Sequence, residues 1–300
     1  MFKEIISVSR YISAHPLTRN SKLKSLSKVA RWQIGSRLLG KRVIVPWVDQ
    51  SKFIVGVGET GLTGNLYAGF MEYQDMLFLL HALRPDEIFV DVGANIGAYT
   101  ILASKAVGSP SVSFEPLPAT VEKLKEQIFL NGIADRVTIR NTGVSDKKGS
   151  LFFTNDADTV NKVSLSGASQ NTTSVDVVTL DEELNENSNH FFKIDVEGFE
   201  FNVLNGGVRV LSSPNTQALI IELNGSGEDF GHSDDEIHRK ITSFGFEPFE
   251  YDPMARQLTR LPSFNRNGGN TIYIKDVEEM SRRCKEAPKR KVHTAGGLLI

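Results

Sequence analysis

The chain is poor in cysteine. Cys284 is the only one among 300 residues, so an intrachain disulfide and a cysteine-based metal site are both excluded. A reducing compartment is the simplest inference. The six histidines are scattered, and no two of them have the spacing of metal ligands. We therefore expect a cytoplasmic protein with no metal centre.

Long apolar runs are also absent. No stretch approaches the roughly 18 apolar residues that span a bilayer, and the start of the chain lacks the apolar core of a signal peptide. Hydrophobic residues still make up 40% of the sequence, enough for a substantial core. This composition is typical of a soluble enzyme.

Acidic residues are scarce at the start of the chain. Residues 1–44 contain ten lysines and arginines but a single acid, Glu4, although the net charge of the whole chain is only −2. Apolar residues such as Trp32 alternate with these cations. The segment is therefore either an amphipathic helix that contacts an anionic membrane at its inner face, or a helix that packs on its own domain.

The most informative segment is Glu87–Thr100. An apolar strand, Ile88–Val92, leads into the small-residue turn Gly93-Ala94-Asn95-Ile96-Gly97 and then into a helix. Gly93 lets the chain turn sharply, and the N–H groups at the start of the helix face a ligand. This arrangement predicts a nucleotide-type binding site.

The turn departs from the dinucleotide fingerprint. That fingerprint needs glycine at its first, third and sixth positions, which are here Gly93, Asn95 and Ala98. A side chain at the third position hinders the approach of a pyrophosphate. Asp91 places a carboxylate at the end of the strand, which favours a ligand with ammonium or sulfonium charge. S-adenosylmethionine has both charges and no phosphate.

Two further strand ends extend the predicted site. Glu115, in Glu115-Pro116, lies 22 residues after Gly93, where such folds place an acid on the hydroxyls of a ribose. The polar turn 141–146, after strand Val137–Arg140, either holds an adenine or is an ordinary surface turn.

Carboxylates also follow two later strands. Asp195 and Glu197 end the apolar run from Phe191, and Glu222 ends the run from Ala218. Because ligands lie beyond the carboxyl ends of parallel strands, we expect these three acids to include the catalytic base. Asp195 has two alternative roles, which are to cap the next helix or to hold the amino group of the cofactor.

The motifs together resemble the FkbM-type methyltransferases. The resemblance depends on Val-Asp-Val-Gly-Ala-Asn-Ile-Gly-Ala-Tyr-Thr from Val90, Phe-Glu-Pro-Leu-Pro from Phe114, Val-Thr-Leu-Asp from Val178, Lys-Ile-Asp-Val-Glu-Gly-Phe-Glu from Lys193 and Ile-Ile-Glu-Leu from Ile220. It covers about residues 67–276.

The resemblance implies a class I methyltransferase (Rossmann-like) α/β fold. Its mostly parallel seven-stranded sheet would carry helices on both faces, with an N-terminal helical and hairpin extension. Activity would be the transfer of a methyl group from S-adenosylmethionine to a hydroxyl of a sugar or secondary metabolite, with no nucleic acid as partner. The implied cofactor residues are Glu72, Asp91, Gly93, Ala94, Asn95, Gly97, Thr100, Glu115, Pro116, Ser145, Asp146 and Asp195.

The predicted organisation has three parts. Residues 1–66 form the basic helical segment and a small hairpin, 67–276 the methyltransferase domain, and 277–300 a basic tail that leaves the fold. Residues 56–69 are predicted to be a loop because they are rich in glycine. The polar run 155–173 is either a flap on the acceptor side or a mobile insertion.

Two other functional classes were weighed. An oxidoreductase that binds a dinucleotide is disfavoured by Asn95 and by the absence of a Tyr-x-x-x-Lys pair. A non-catalytic binding module of the same fold is disfavoured by the intact carboxylates.

Overall fold

The central sheet has eight strands, which lie side by side in the order Gln257–Arg260, Glu247–Asp252, Asn270–Ile274, Thr216–Glu222, His190–Ile194, Ile88–Val92, Ser111–Phe114 and Val137–Arg140. It belongs to a computed structural model that describes residues 11–19, 22–40, 42–56, 60–154, 162–164, 167–169 and 171–300. The strands are β1 (Val43–Pro46), β2 (Lys52–Val55), β3 (Ile88–Val92), β4 (Ser111–Phe114), β5 (Val137–Arg140), β6 (Gly143–Val144), β7 (Gly149–Thr154), β8 (Thr172–Val178), β9 (His190–Ile194), β10 (Thr216–Glu222), β11 (Glu247–Asp252), β12 (Gln257–Arg260), β13 (Asn270–Ile274), β14 (Lys291–Val292) and β15 (Leu298–Leu299).

Helices connect these strands and cover the sheet. The α-helices are Lys22–Leu39, Thr60–Ala68, Tyr73–Ala82, Ala98–Ile101, Pro118–Asn131, Leu180–Glu183, Glu200–Asn205, Val208–Ser212, Asp234–Ser243 and Val277–Glu286. Residues Leu102–Val107 continue helix Ala98–Ile101 as a π-helix. Residues Ser226–Phe230 form a 3₁₀ helix. None of the helices within the described ranges is long and apolar enough to cross a bilayer.

The sheet is mixed. Strands β10, β9, β3, β4 and β5 are parallel, and β13, β11 and β12 complete it with antiparallel pairs. The prediction of a mostly parallel sheet with helices on both faces is confirmed. Seven strands were predicted and eight are present. The additional strand is β12, because the turn after Asp252 returns the chain antiparallel along the edge of β11.

Side chains alternate between two apolar layers, as the period of a strand requires. Phe89 and Phe191 contribute to the layer beneath helices Tyr73–Ala82 and Val277–Glu286. Val90 and Phe192 contribute to the opposite layer, beneath the helices between residues 200 and 243. The strands therefore read as nearly continuous apolar runs because both faces are buried.

The strand register places charged residues on one face of the sheet. Asp91 of β3 lies beside Lys193 of β9, and Lys193 lies beside Ile220 of β10. Since alternate residues share a face, Glu222 lies on the same face, paired in register with Asn270 of β13. The carboxyl ends of three parallel strands thus bring these polar groups together.

The predicted loop at residues 56–69 is wrong. Thr60–Ala68 is a helix, and the predicted hairpin before it is confirmed as the pair β1 and β2. Leu62 and Leu66 are buried in the core, so tertiary packing overrides the low helix propensity of glycine. Gly64 also has a packing role, because a Cβ there would lie 2.6 Å from the sulfur of Met71.

The predicted departure of residues 277–300 from the fold is also wrong. Helix Val277–Glu286 buries Met280 and Cys284 against the sheet. Arg283 forms a 2.7 Å ion pair with Glu87, whose side chain is only 2% exposed. The basic composition therefore reflects paired and solvated charges on a packed segment.

Helix Lys22–Leu39 is not amphipathic in the manner expected. Val29 and Trp32 pack against the core, whereas Leu23 and Ile34 are 87% and 61% exposed. Lys28 donates to the Thr294 carbonyl at 2.7 Å. The helix therefore packs on its own domain, as the second interpretation predicted. Most of the predicted flap, including 155–161, lies outside the described residues.

Candidate active site

The turn after β3 brings two strand ends into contact. Gly93 has φ +82°, and a Cβ at this position would lie 1.9 Å from the carbonyl oxygen of Asp195. The amides of Gly93 and Ala94 both donate to the Phe114 carbonyl, at 3.0 and 2.9 Å. Glycine is therefore required both for the backbone conformation and for the close approach of β9.

Glu115 holds the next part of the turn. Its Oε2 accepts a hydrogen bond from the Asn95 amide and its Oε1 accepts one from the Leu117 amide, both at 3.0 Å. Asn95 has φ +51°, and its Oδ1 accepts from the Ile96 amide at 2.7 Å. Burial raises the pKa of Glu115 to about 7. Each carboxylate oxygen keeps a further lone pair for a ligand hydroxyl.

Asp91 is held in position by a hydrogen bond from Thr100. The Thr100 hydroxyl donates to Asp91 Oδ2 at 2.6 Å and also contacts the Ser113 hydroxyl at 2.8 Å. Burial raises the pKa of Asp91 to about 6 although the Thr100 bond opposes the shift. Thr100 is fully buried and positions Asp91, so its predicted role in cofactor binding stays a prediction. Gly97, with φ +88°, begins the helix.

Three carboxylates converge beyond β9 and β10. Asp195, Glu197 and Glu222 each offer an oxygen, and these oxygens lie within 4.8 Å of one another. Burial first, and then the charge of Asp195, raises the pKa of Glu222 to about 8. The same two causes raise the pKa of Glu197. The crowding therefore favours a proton or a cation among the three groups.

Lys193 supplies a cation to this cluster. Its Nζ donates to Asp195 Oδ2 at 3.0 Å and to Asn270 Oδ1 at 2.9 Å. Burial alone lowers the pKa of this amine, but the carboxylates of Asp195 and Glu72 outweigh burial, so the pKa of Lys193 lies above its ordinary value. Asp195 is thus paired with Lys193. It does not cap helix Glu200–Asn205, because the N-cap position is Phe199, which makes no side-chain cap hydrogen bond.

Glu197 occupies a strained turn. Its φ is +54°, which is unusual for a residue with a side chain. The carboxylate of Glu200 accepts from the amides of Val196 and Gly198, each at 3.2 Å, and so stabilises this conformation. Such strain is often found at functional sites, where the surrounding structure maintains it.

Most of the predicted site residues line one cavity of about 360 Å³. Tyr99 closes one side of it, where its hydroxyl donates to Glu72 Oε2. The predicted residues in the lining are Glu72, Asp91, Gly93, Ala94, Asn95, Asp195, Glu197 and Glu222. Motifs far apart in sequence therefore meet at the carboxyl edge of the sheet.

The 360 Å³ cavity continues into two smaller spaces. Glu115 and Pro116 line one of about 60 Å³, which shares Gly93 and Asn95 with the main cavity. The second, of about 20 Å³, lies between Thr142, Gly143, Val144, Phe153 and Phe199, among others. Ser145 and Asp146 line none of these spaces. Ser145 is buried and donates to the Asp146 carboxylate at 3.0 Å, so the residues just before them face the cavity.

A larger cavity of about 680 Å³ lies elsewhere, beside helices Lys22–Leu39 and Thr60–Ala68. Its lining includes Lys28, Arg31 and His293 but no carboxylate. The 360 Å³ cavity is the candidate active site, because it holds the acids suited to proton removal.

Sequence reasoning missed Lys193, Tyr99 and Asn270. Lys193 had a detectable signal, because lysine is almost never buried without a partner and this one interrupts an apolar strand. No local sequence pattern pointed to Asn270, because its contact with Lys193 joins residues that are 77 positions apart.

The donor set fits the predicted cofactor. Burial makes these carboxyl groups costly to ionise, and a bound cationic ligand would offset that cost. Glu115 offers lone pairs to two neighbouring hydroxyls. The three clustered acids also have the spacing to hold a metal ion, although clusters of acids are common without one.

Comparison with known proteins identifies the family and several similar proteins. Residues 91–248 match the family described as "Methyltransferase FkbM domain". "Hexuronic acid methyltransferase AglP" from Haloferax volcanii is 30% identical over 164 residues, and the chain spans 62% of that relative while 50% of the chain is matched. The crystal structure of a methyltransferase FkbM from Methylobacillus flagellatus KT is 15% identical with a TM-score of 0.45, covering 91% of this chain and 58% of that one.

Proposed function

Because this chain belongs to the methyltransferase FkbM domain family, we propose that it transfers a methyl group from S-adenosylmethionine to a hydroxyl oxygen of a sugar. The main observation in support of this proposal is the 360 Å³ cavity, which is lined by the Gly93 turn and by the acids Asp195, Glu197 and Glu222. The same cavity therefore holds residues suited to the cofactor and candidates for the base.

Named residues support the cofactor half of the proposal. Asp91 and Asp195 provide negative charge for the amino and sulfonium groups, and the Gly93–Gly97 turn provides backbone polar groups. Glu115 lies in the adjoining space, where its carboxylate suits a ribose. The walls beyond it, which include Phe153 and Val196, are apolar, and they would have to move apart to hold a flat base because the space there is about 20 Å³.

The reaction needs alignment and one proton acceptor. Bound S-adenosylmethionine supplies a methyl carbon activated by the positive sulfur, so the C–S bond breaks as the C–O bond forms and sulfur keeps the electron pair. The acceptor hydroxyl loses its proton to a carboxylate. Glu222 and Glu197 are the better candidates, because Asp195 is already paired with Lys193.

A sugar acceptor is supported by the relative AglP, which is described as acting on a hexuronic acid. The polar groups around the open end of the cavity also suit a hydroxylated ligand. An oxidoreductase has no observation in its favour at this site, because the Asn95 side chain stands where a dinucleotide needs glycine.

Calorimetry tests the cofactor half. We expect Glu115→Ala to weaken S-adenosylmethionine binding by about ten- to a hundredfold, because hydrogen bonds to a charged group contribute roughly 1.5–3 kcal/mol. Glu122→Ala is the matched control, since Glu122 is on the exposed surface of helix Pro118–Asn131. Circular dichroism verifies that both variants fold. Unchanged affinity in Glu115→Ala, or tighter binding of NAD than of S-adenosylmethionine, would refute the assignment.

A further inference from the structure

Acidic side chains are concentrated at the proposed methyl-transfer centre. Five carboxylates line the 360 Å³ cavity, and Lys193 is the single cation among its lining residues. The five are Glu72, Asp91, Asp195, Glu197 and Glu222. This balance bears on which acceptors can approach the methyl group.

Lys193 already has hydrogen-bond partners within the protein. Only 2% of its side chain is exposed, two of its three donors bind Asp195 and Asn270, and the Tyr99 ring lies 5.5 Å from Nζ. A second cation near the cavity is engaged as well. Lys162, whose charge acts on Glu197, pairs with Asp229 at 2.5 Å. An anionic acceptor would therefore find no unengaged cation among these groups.

The site already suppresses ionisation of its own acids. Burial and the charge of Asp195 raise the pKa values of Glu222 and Glu197. A carboxylate on the acceptor would meet the same surroundings, and like charges in contact carry a large penalty. A neutral sugar meets no such penalty, and its hydroxyls can donate to the same oxygens.

From this geometry we infer that the acceptor is an uncharged sugar, methylated on a hydroxyl, and that the cavity rejects hexuronic acids. The inference deepens the proposed function and rests on it. The described acceptor of the relative AglP is a hexuronic acid, so the inference predicts that the two proteins differ in acceptor. The specificity determinant is the group Asp195, Glu197 and Glu222, with Lys193 held by Asp195.

Matched glycosides test the inference. The full chain is incubated with methyl-labelled S-adenosylmethionine and EDTA, together with p-nitrophenyl hexosides or the corresponding hexuronides of gluco, galacto and manno configuration. The members of a pair differ only in CH₂OH against carboxylate. We expect kcat/KM for at least one hexoside to exceed that of its hexuronide by about tenfold or more.

A charge variant shows which groups cause the preference. Glu222→Gln is assayed at about pH 9, where Glu222 of the unmodified protein is ionised because its pKa is about 8, so the change removes one negative charge at nearly constant shape. The ratio of hexoside to hexuronide should then fall severalfold, whatever happens to the absolute rate. Glu278→Gln makes the same charge change on the exposed start of helix Val277–Glu286 and should leave both the rate and the ratio unchanged. An unchanged ratio in Glu222→Gln would contradict the proposed determinant.

The remaining outcomes also decide the question. Equal or faster labelling of a hexuronide would overturn the inference, as would hexuronide labelling that appears only with added Mg²⁺, because the acids would then hold a cation. If S-adenosylmethionine binds but no glycoside is labelled, the sugar assignment falls and the cofactor assignment stands. Failure of the full chain to bind S-adenosylmethionine would instead refute the proposed function itself.

Discussion

Replacing Gly93 by alanine should damage the fold and the cofactor site together. The added Cβ would lie 1.9 Å from the Asp195 carbonyl oxygen, whereas real Cβ contacts essentially never fall below 3.0 Å. The turn or the end of β9 must therefore move by about an ångström. Overpacking of this kind costs about 1–3 kcal/mol. The positive φ of +82° adds about 1–2 kcal/mol for a residue with a Cβ.

A matched variant separates the two contributions. Gly132 also has a positive φ, +61°, but a Cβ there would meet nothing within 4 Å. Gly132→Ala should therefore cost only the conformational term, about 1–2 kcal/mol. We expect Gly93→Ala to lower the free energy of unfolding by about 2–5 kcal/mol. The excess over Gly132→Ala measures the contact with Asp195.

Denaturant unfolding and calorimetry provide the two readouts. Gly132→Ala should bind S-adenosylmethionine as the unmodified protein does, because helix Pro118–Asn131 ends away from the cavity lining. Gly93→Ala should bind at least about tenfold more weakly, since the shift displaces Asp195 and the turn amides. Equal unfolding free energies for the two variants, with unchanged binding, would refute the argument that the turn and β9 require glycine.

The other predictions concern the base, its supports and the N-terminal segment. Glu197→Gln should lower turnover by about a hundredfold or more while cofactor affinity is nearly kept; normal turnover would leave Glu222 as the better base. If Glu222 is the base instead, turnover should rise with pH towards about 8, because Glu222, whose pKa is raised to about 8 by burial, accepts a proton only when ionised. A bound sulfonium would shift that rise to lower pH, and Glu222→Gln should abolish it; a flat profile in the unmodified enzyme would exclude this base. Thr100→Val should cost about 1–3 kcal/mol of unfolding free energy, measured by denaturant titration, by leaving Asp91 without its buried donor. Membrane contact stays a prediction: if residues 1–44 dock on anionic liposomes, each suitable cation adds about 1 kcal/mol and salt weakens sedimentation, whereas absence of binding at low salt would leave the packed helix alone.

Local pattern predicted the elements that carry the site. The apolar run at β3, the Gly93–Gly97 turn and the spacing to Glu115 identified two strand ends, and the acids after β9 and β10 identified two more. The physical reason is that parallel strands end at a common edge, so residues placed just after each strand must converge. The family assignment required no more than these motifs and their order.

Tertiary contacts decided the chemistry of that edge. Lys193 reaches Asn270, 77 residues away, and Gly93 faces the carbonyl of Asp195. The local sequence pattern does not predict such contacts, because they depend on how the strands pair and how closely their ends approach each other. For the same reason, packing made a helix of the glycine-rich segment Thr60–Ala68. The sequence by itself determined which acids meet, whereas burial and the position of Lys193 determined their charge states.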